Sequence, residues 1–165
     1  MDANDDSEFR IILAHHEAGH AVVAWTLGER ATRLWLDGLR GGAKDTLPSR
    51  RIDPEMMSKT DWTWVKRKSM ILLGGEMAER RLNPESNAFA SIEDREETRE
   101  LIKHAFGNTG TIATNWITCL EDEVMTLIME NWATVSALAN ALMAKGCLSD
   151  SEVEKVLAPQ HAPNR

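Results

Sequence analysis

The chain of 165 residues contains no tyrosine, only two cysteines and no surplus of positive charge. Each shortage excludes something. Cys119 and Cys147 stand far apart in the sequence with no C-x-x-C pairing, so they read as reduced thiols rather than a disulfide framework or a zinc knuckle. A formal net charge of -7 argues against nucleic acid as the partner, because neutralising phosphates needs a basic face. The short basic clusters Arg50-Arg51 and Lys66-Arg67-Lys68 read as solvated surface. No apolar run approaches the roughly 18 residues of a membrane span. The opening MDANDDSE has neither the positive start nor the apolar stretch of a secretory signal. The expectation is a soluble, cytoplasmic protein with no membrane partner. No G-x-x-x-x-G-K-[ST] phosphate loop occurs anywhere. The aromatic residues are skewed to six Trp and three Phe, a bias that points to no function by itself.

What is present is a core and helical periodicity. Hydrophobic residues make up 42% and charged residues 27%, enough for one domain with a buried interior. Ser7 reads as a helix N-cap, and Phe9, Ile12, Leu13, His20, Val23, Ala24 and Leu27 recur at helical spacing up to Gly28. One helix is therefore predicted over about 8–27. Residues 31–44 read as a small β element: Ala31–Leu36 as a strand, Asp37-Gly38 as a turn, and Gly41-Gly42-Ala43 as a flat extended edge. Further helices are predicted over about 60–82, ended by Asn83-Pro84, and over about 92–106, opened by Ser91 and closed by Gly107. A polar loop, 83–91, joins them. A long helical region follows, 110–145, and then a short helix, 150–157, opened by the capping box Ser149-Asp150-Ser151-Glu152. The reading is a mainly α (α+β) fold: one domain over 1–158, with 159–165 as a tail.

The chemistry-bearing stretch is HHEAGH, residues 15–20. His16 and His20 flank Glu17 at the H-E-x-x-H spacing. Four positions along a helix turn about 40° and rise about 6 Å, so two imidazoles can converge on one ion. Zinc suits imidazole nitrogen and takes four ligands in tetrahedral array. Glu17, beside the first ligand, cannot share its vertex but can reach a zinc-bound water and act as general base. Chance can produce this pattern, so context matters. The run lies in an amphipathic helix, and Gly19 costs about 1 kcal/mol against alanine in mid-helix, which implies that something packs closely there. His15 is rotated about 100° from His16 and reads as a surface or outer histidine. Val23 and Thr26 stand where a metzincin would have Gly and His, which excludes that class and leaves the third ligand to come from elsewhere.

Over most of its length the sequence resembles the peptidase domain of FtsH-type AAA+ metalloproteases. HHEAGHAVVAWTLG is similar to that family's zinc helix, LLGGEMAERRL (residues 72–82) to its LGGRAAEE segment, and Leu120–Leu157 to its C-terminal helical region. The resemblance implies a helical zinc endopeptidase with one Zn2+ per chain and a polypeptide substrate held along a short edge strand. The candidates for that edge are Arg33–Leu36 and Gly41, Gly42 and Ala43. The resemblance also implies an aspartate as third ligand, in an S-N-D-L context. Ser91-Ile92-Glu93-Asp94 stands there. One alignment selects Asp94 and another Glu93, while His104, Glu76 and Glu79 are rivals. Asp94 is also explained as an acid at a helix N-terminus. Glu79 matches a family acid and is a candidate for orienting a ligand; Glu76 falls where the family usually has Arg.

The family's ATPase module and membrane anchor have no counterpart here. The expected activity is ATP-independent hydrolysis of peptide bonds in unstructured polypeptides, with zinc-bound water activated by Glu17. The alternatives are a non-catalytic zinc-stabilised interaction domain, or a peptidase subunit that needs a separate ATPase. A homo-oligomer stays open.

Overall fold

The structure, a computed structural model, describes residues 3–84, 91–107 and 110–158. It is mainly helical. In chain order it comprises α1 (Ala3–Thr26), β1 (Ala31–Asp37), β2 (Arg40–Asp45), α2 (Lys59–Leu82), α3 (Ile92–Ala105), α4 (Gly110–Glu130), α5 (Trp132–Lys145), β3 (Cys147–Ser149) and α6 (Asp150–Leu157). None of the described helices is long and apolar enough to cross a membrane. The expected tail, 159–165, and most of the expected loop, 83–91, lie outside the described residues.

The centre is the α1–α2 pair. Their close approach is built from missing side chains: a Cβ on Gly19 would lie 2.3 Å from the Gly74 carbonyl oxygen and 2.7 Å from the Ala78 Cβ. This is the close packing that the mid-helix glycine implied. Around the seam, Ala14, Ala18, Val22, Val23, Leu73 and Met77 are buried. Each large apolar side chain taken fully from water contributes roughly 1.5–3 kcal/mol. Helix α4 then covers α2, and α5 covers α1.

Several boundaries follow local chemistry. Gly28, Gly107 and Gly146 adopt positive φ just beyond α1, α3 and α5, the conformation glycine enters without steric cost. Ser149 and Glu152 form the reciprocal capping box opening α6. A second capping box, Ser58 with Asp61, opens α2. One expectation is corrected: Ser7 is not an N-cap, because α1 already runs from Ala3. The helical region 110–145 is divided at Asn131 into two helices; the Asn131 side-chain amide and backbone N–H both donate to the Leu127 carbonyl, at 2.9 and 3.1 Å. Helix α5 then packs against α1.

The sheet holds one strand with no sequence prediction behind it. β3 pairs antiparallel with β1 through Leu34↔Leu148, and β1 pairs antiparallel with β2 through Leu34↔Ala43 and Trp35↔Gly42. The order is β2-β1-β3. Arg33–Leu36 is therefore the central strand and cannot be an edge that accepts a peptide. β2, which contains Gly41–Ala43, is an outer strand.

The tryptophans contribute packing. Trp62, Phe106 and Trp116 contact one another edge-on or tilted, with centroids 4.8–6.2 Å apart, joining α2, the end of α3, and α4. The Trp64 indole donates to the Pro48 carbonyl at 2.8 Å, fastening the segment between β2 and α2.

Candidate metal centre

His16 and His20 share one face of α1, four residues apart, with ring planes nearly perpendicular at 87°. Their inner nitrogens are both engaged by α2. The His16 Nδ1 donates to the Glu79 Oε1 at 2.6 Å, and the His20 Nδ1 donates to the Ile71 carbonyl at 2.7 Å. A carboxylate and a carbonyl can only accept, so both Nδ1 atoms carry a proton, which leaves both Nε2 atoms as the positions that could offer lone pairs to a cation. Those Nε2 atoms lie 2.9 Å apart. The Asp94 Oδ2, from the first turn of α3, lies 2.9 Å from the His16 Nε2 and 3.2 Å from the His20 Nε2.

Three electron-rich atoms so close together repel one another unless a cation sits among them. Three ligands bound to one zinc at its usual distances in tetrahedral array lie about 3.3 Å apart. The observed triangle is only a few tenths of an ångström tighter. Among the described residues, His16, His20 and Asp94 are the group that could hold a metal ion. Titration behaviour carries the same sign. Burial alone would lower His16, but its hydrogen bonds to Asp94 and Glu79 and the charges of Glu17 and Glu79 outweigh burial and hold it up at about 10. Burial alone would raise Asp94, but the two histidines pull its carboxyl well below the usual range. In the metal-free protein a proton thus takes the place of the cation.

Glu17 projects beside this triangle and is buried, 4% exposed. Burial raises its carboxyl above the ordinary value, with the two histidines opposing and Asp94 and Glu79 reinforcing. Its carboxylate rests against β2: a Cβ on Gly41 would fall 2.6 Å from the Glu17 Oε1. The next glycine is covered from the sheet side, where a Cβ on Gly42 would meet the Trp35 indole at 2.6–2.9 Å. His16, Glu17, His20, Asp94 and the β2 segment Gly41–Ala43 line one cleft of ≈ 880 Å³, within the size range of ligand sites. Comparison with models of known protein families and with curated proteins finds no match to this chain. Function must therefore be argued from this geometry.

The remaining candidates fall elsewhere. His15 is neither surface nor an outer group of the triangle. It is buried on the side of α1 that meets α5, where its Nδ1 donates to the Ile11 carbonyl at 2.8 Å and its ring stacks 5.6 Å from Trp132. His104 donates to the Ile52 carbonyl at 3.0 Å and braces a loop. Glu76 is committed to Arg80 and Arg95. Glu93 lines the cleft but does not join the three-atom group. Glu79, fully buried, orients His16. Ser91 occupies the N-cap position of α3 without a side-chain capping bond, and Asp94 lies in the first turn of that helix.

Three participants were not predicted. The Ile71 carbonyl is backbone and leaves no sequence signal. Gly75 did leave one, as a second glycine in mid-helix beside Gly74. A Cβ there would strike the His16 ring at 2.5–2.7 Å, so the ring is seated directly on the α2 backbone. The third is the partnership of Glu76 and Arg95.

Proposed function

We propose that this chain is a zinc-dependent endopeptidase acting on extended polypeptide, with His16, His20 and Asp94 as metal ligands and Glu17 as general base. The observation that carries the reading is the convergence of three lone-pair atoms at 2.9–3.2 Å, with both histidine Nδ1 atoms occupied by acceptors. The resemblance of the sequence to FtsH-type peptidases supports it, and so does the choice of Asp94 over Glu93 and His104.

When bound, zinc supplies Lewis acidity that polarises a carbonyl and brings the pKa of water down to about 7. The protein's own groups do the rest. Glu17, buried and raised in pKa, accepts a proton from the attacking water. The water oxygen forms the new bond to the peptide carbonyl carbon, the C–N bond breaks, and Glu17 returns the proton to the departing amine. Glu79 keeps His16 in the Nδ1–H form throughout, and the Ile71 carbonyl does the same for His20. The outer strand β2 borders the cleft, where it can pair with a substrate backbone by strand addition. Gly41 lets β2 approach the Glu17 carboxylate, and so brings that edge beside the general base.

The test combines metal analysis with cleavage of an unstructured protein such as casein. One zinc per chain and chelator-sensitive cleavage are expected. Glu17→Gln should retain zinc and lose about 10²–10⁴-fold in rate. Zinc-loaded protein that cuts nothing would reduce the reading to a non-catalytic zinc-stabilised interaction domain. Absence of stoichiometric zinc would overturn both.

A further inference from the structure

Two of the three proposed ligands are set by α2 directly: Ile71 holds His20, while Gly75 and Glu79 seat His16. Asp94 comes from a different helix, whose first turn has little apolar anchorage. Ile92 and Glu93 are exposed, and of the α3 residues only Thr98, Ile102 and Ala105 are buried, all in its later turns. The residue after the ligand is, however, tied on both sides. The Arg95 Nε lies 3.2 Å from the Glu76 Oε2 of α2, and the Arg95 Nη2 donates to the Glu121 Oε1 of α4 at 2.6 Å. Glu76 is buried, 3% exposed along its side chain, and its other oxygen accepts from Arg80 at 2.6 Å. It neighbours Gly75, the seat of His16.

We propose that Arg95, clamped between Glu76 and Glu121, is the positioning residue that holds Asp94 against the histidine pair. By this arrangement α2 sets the position of all three ligands: two through His16 and His20, and the third through the Glu76–Arg95 ion pair. The physical case rests on burial. An exposed ion pair is worth little, but Glu76 is enclosed, its Oε2 accepts no hydrogen bond and so depends on the charge of Arg95, while the hydrogen bond to Glu121 gives the guanidinium its direction. Loss of the clamp leaves the first turn of α3 held by the contacts of Asp94 itself with the histidines and, in the next turn, by the longer Lys68–Glu97 pair at 3.5 Å, with Glu97 57% exposed.

This inference rests on the metal reading above, and its test separates the two. Zinc affinity is measured by competition with a chromophoric chelator, and coordination by the visible spectrum of the Co2+-substituted protein. Arg95→Gln should weaken zinc binding about 10–100-fold, the range for loss of outer supports of a metal site, with Arg95→Lys recovering part of it. Glu121→Gln, at the more exposed end of the clamp, should give a smaller loss in the same direction and serves if Arg95→Gln does not fold. In an Asp94→Ala background, Arg95→Gln should cause no further loss of affinity, because the two residues act on one ligand. A purely structural arginine would lower the urea midpoint while leaving zinc affinity and the Co2+ spectrum unchanged, or would add its loss in full to that of Asp94→Ala. Either result overturns the clamp. A wild-type chain that binds no metal overturns the metal reading itself.

Discussion

At the scale of single residues, the site is a group of like-natured atoms that could hold a cation. His16 and Asp94 are shifted in opposite directions, and the metal-free protein carries the consequence in its stability. The folded-state value of His16, about 10, lies above its ordinary 6.5. Its contribution is therefore complete below about pH 6.5 and is lost as pH rises through about 10. Asp94 has the reverse sign: its contribution is present above its ordinary 3.8 and is lost as pH falls through its lowered folded value. Urea midpoints of the chelator-treated protein should thus fall from about pH 6.5 towards about pH 10, with the pair contributing fully between about pH 4 and 6.5. Zinc-loaded protein should not show the alkaline decline, because the ion replaces the proton. Parallel pH profiles with and without zinc would refute this account.

At the scale of elements, glycines decide where helices and strands can meet. Gly19 and Gly74 bring α1 and α2 into backbone contact and Gly75 seats the His16 ring, whereas Gly41 brings β2 up to the Glu17 carboxylate. These contacts differ in what yields. An alanine at 19 would press on a carbonyl that cannot move without parting the helices. An alanine at 41 would press on the far end of a flexible side chain. Gly41→Ala is therefore expected to leave the melting temperature nearly unchanged while displacing the Glu17 carboxylate, with a roughly 10- to 100-fold loss of kcat, as small misplacements of a reacting group produce. Thermal melts and casein cleavage on the same preparation check it; a large fall in melting temperature with unaltered kcat per folded molecule would sink it.

For the whole molecule, the cleft lies between α1, the outer strand β2 and the start of α3, and the proposed docking along β2 predicts that substrate enters as an extended chain. The purified protein is expected to cleave casein or a reduced, unfolded globular protein without ATP, and to spare the same globular protein when folded, whose backbone is already paired. Equal rates on folded and unfolded forms would argue against β2 as the docking edge.

What the sequence determined by itself was local. The periodicity of α1, the glycine stops beyond α1 and α3, the capping box of α6, and the pairing of His16 with His20 all follow from relations within a few positions, where helical geometry is known in advance. Glu17 and Gly19 were legible for the same reason. Tertiary structure decided the relations across long separations. Residues 147–149 turn Arg33–Leu36 into a central strand, and α5, beyond the division at Asn131, packs against α1. Asp94 is brought to the histidines from 78 residues beyond His16, while Glu93, one position away, is turned aside. The Ile71 carbonyl and the Arg95 clamp belong to this second kind. Their partners are brought together only when α1, α2, α3 and α4 pack, and packing depends on the summed fit of many side chains rather than on any spacing along the chain.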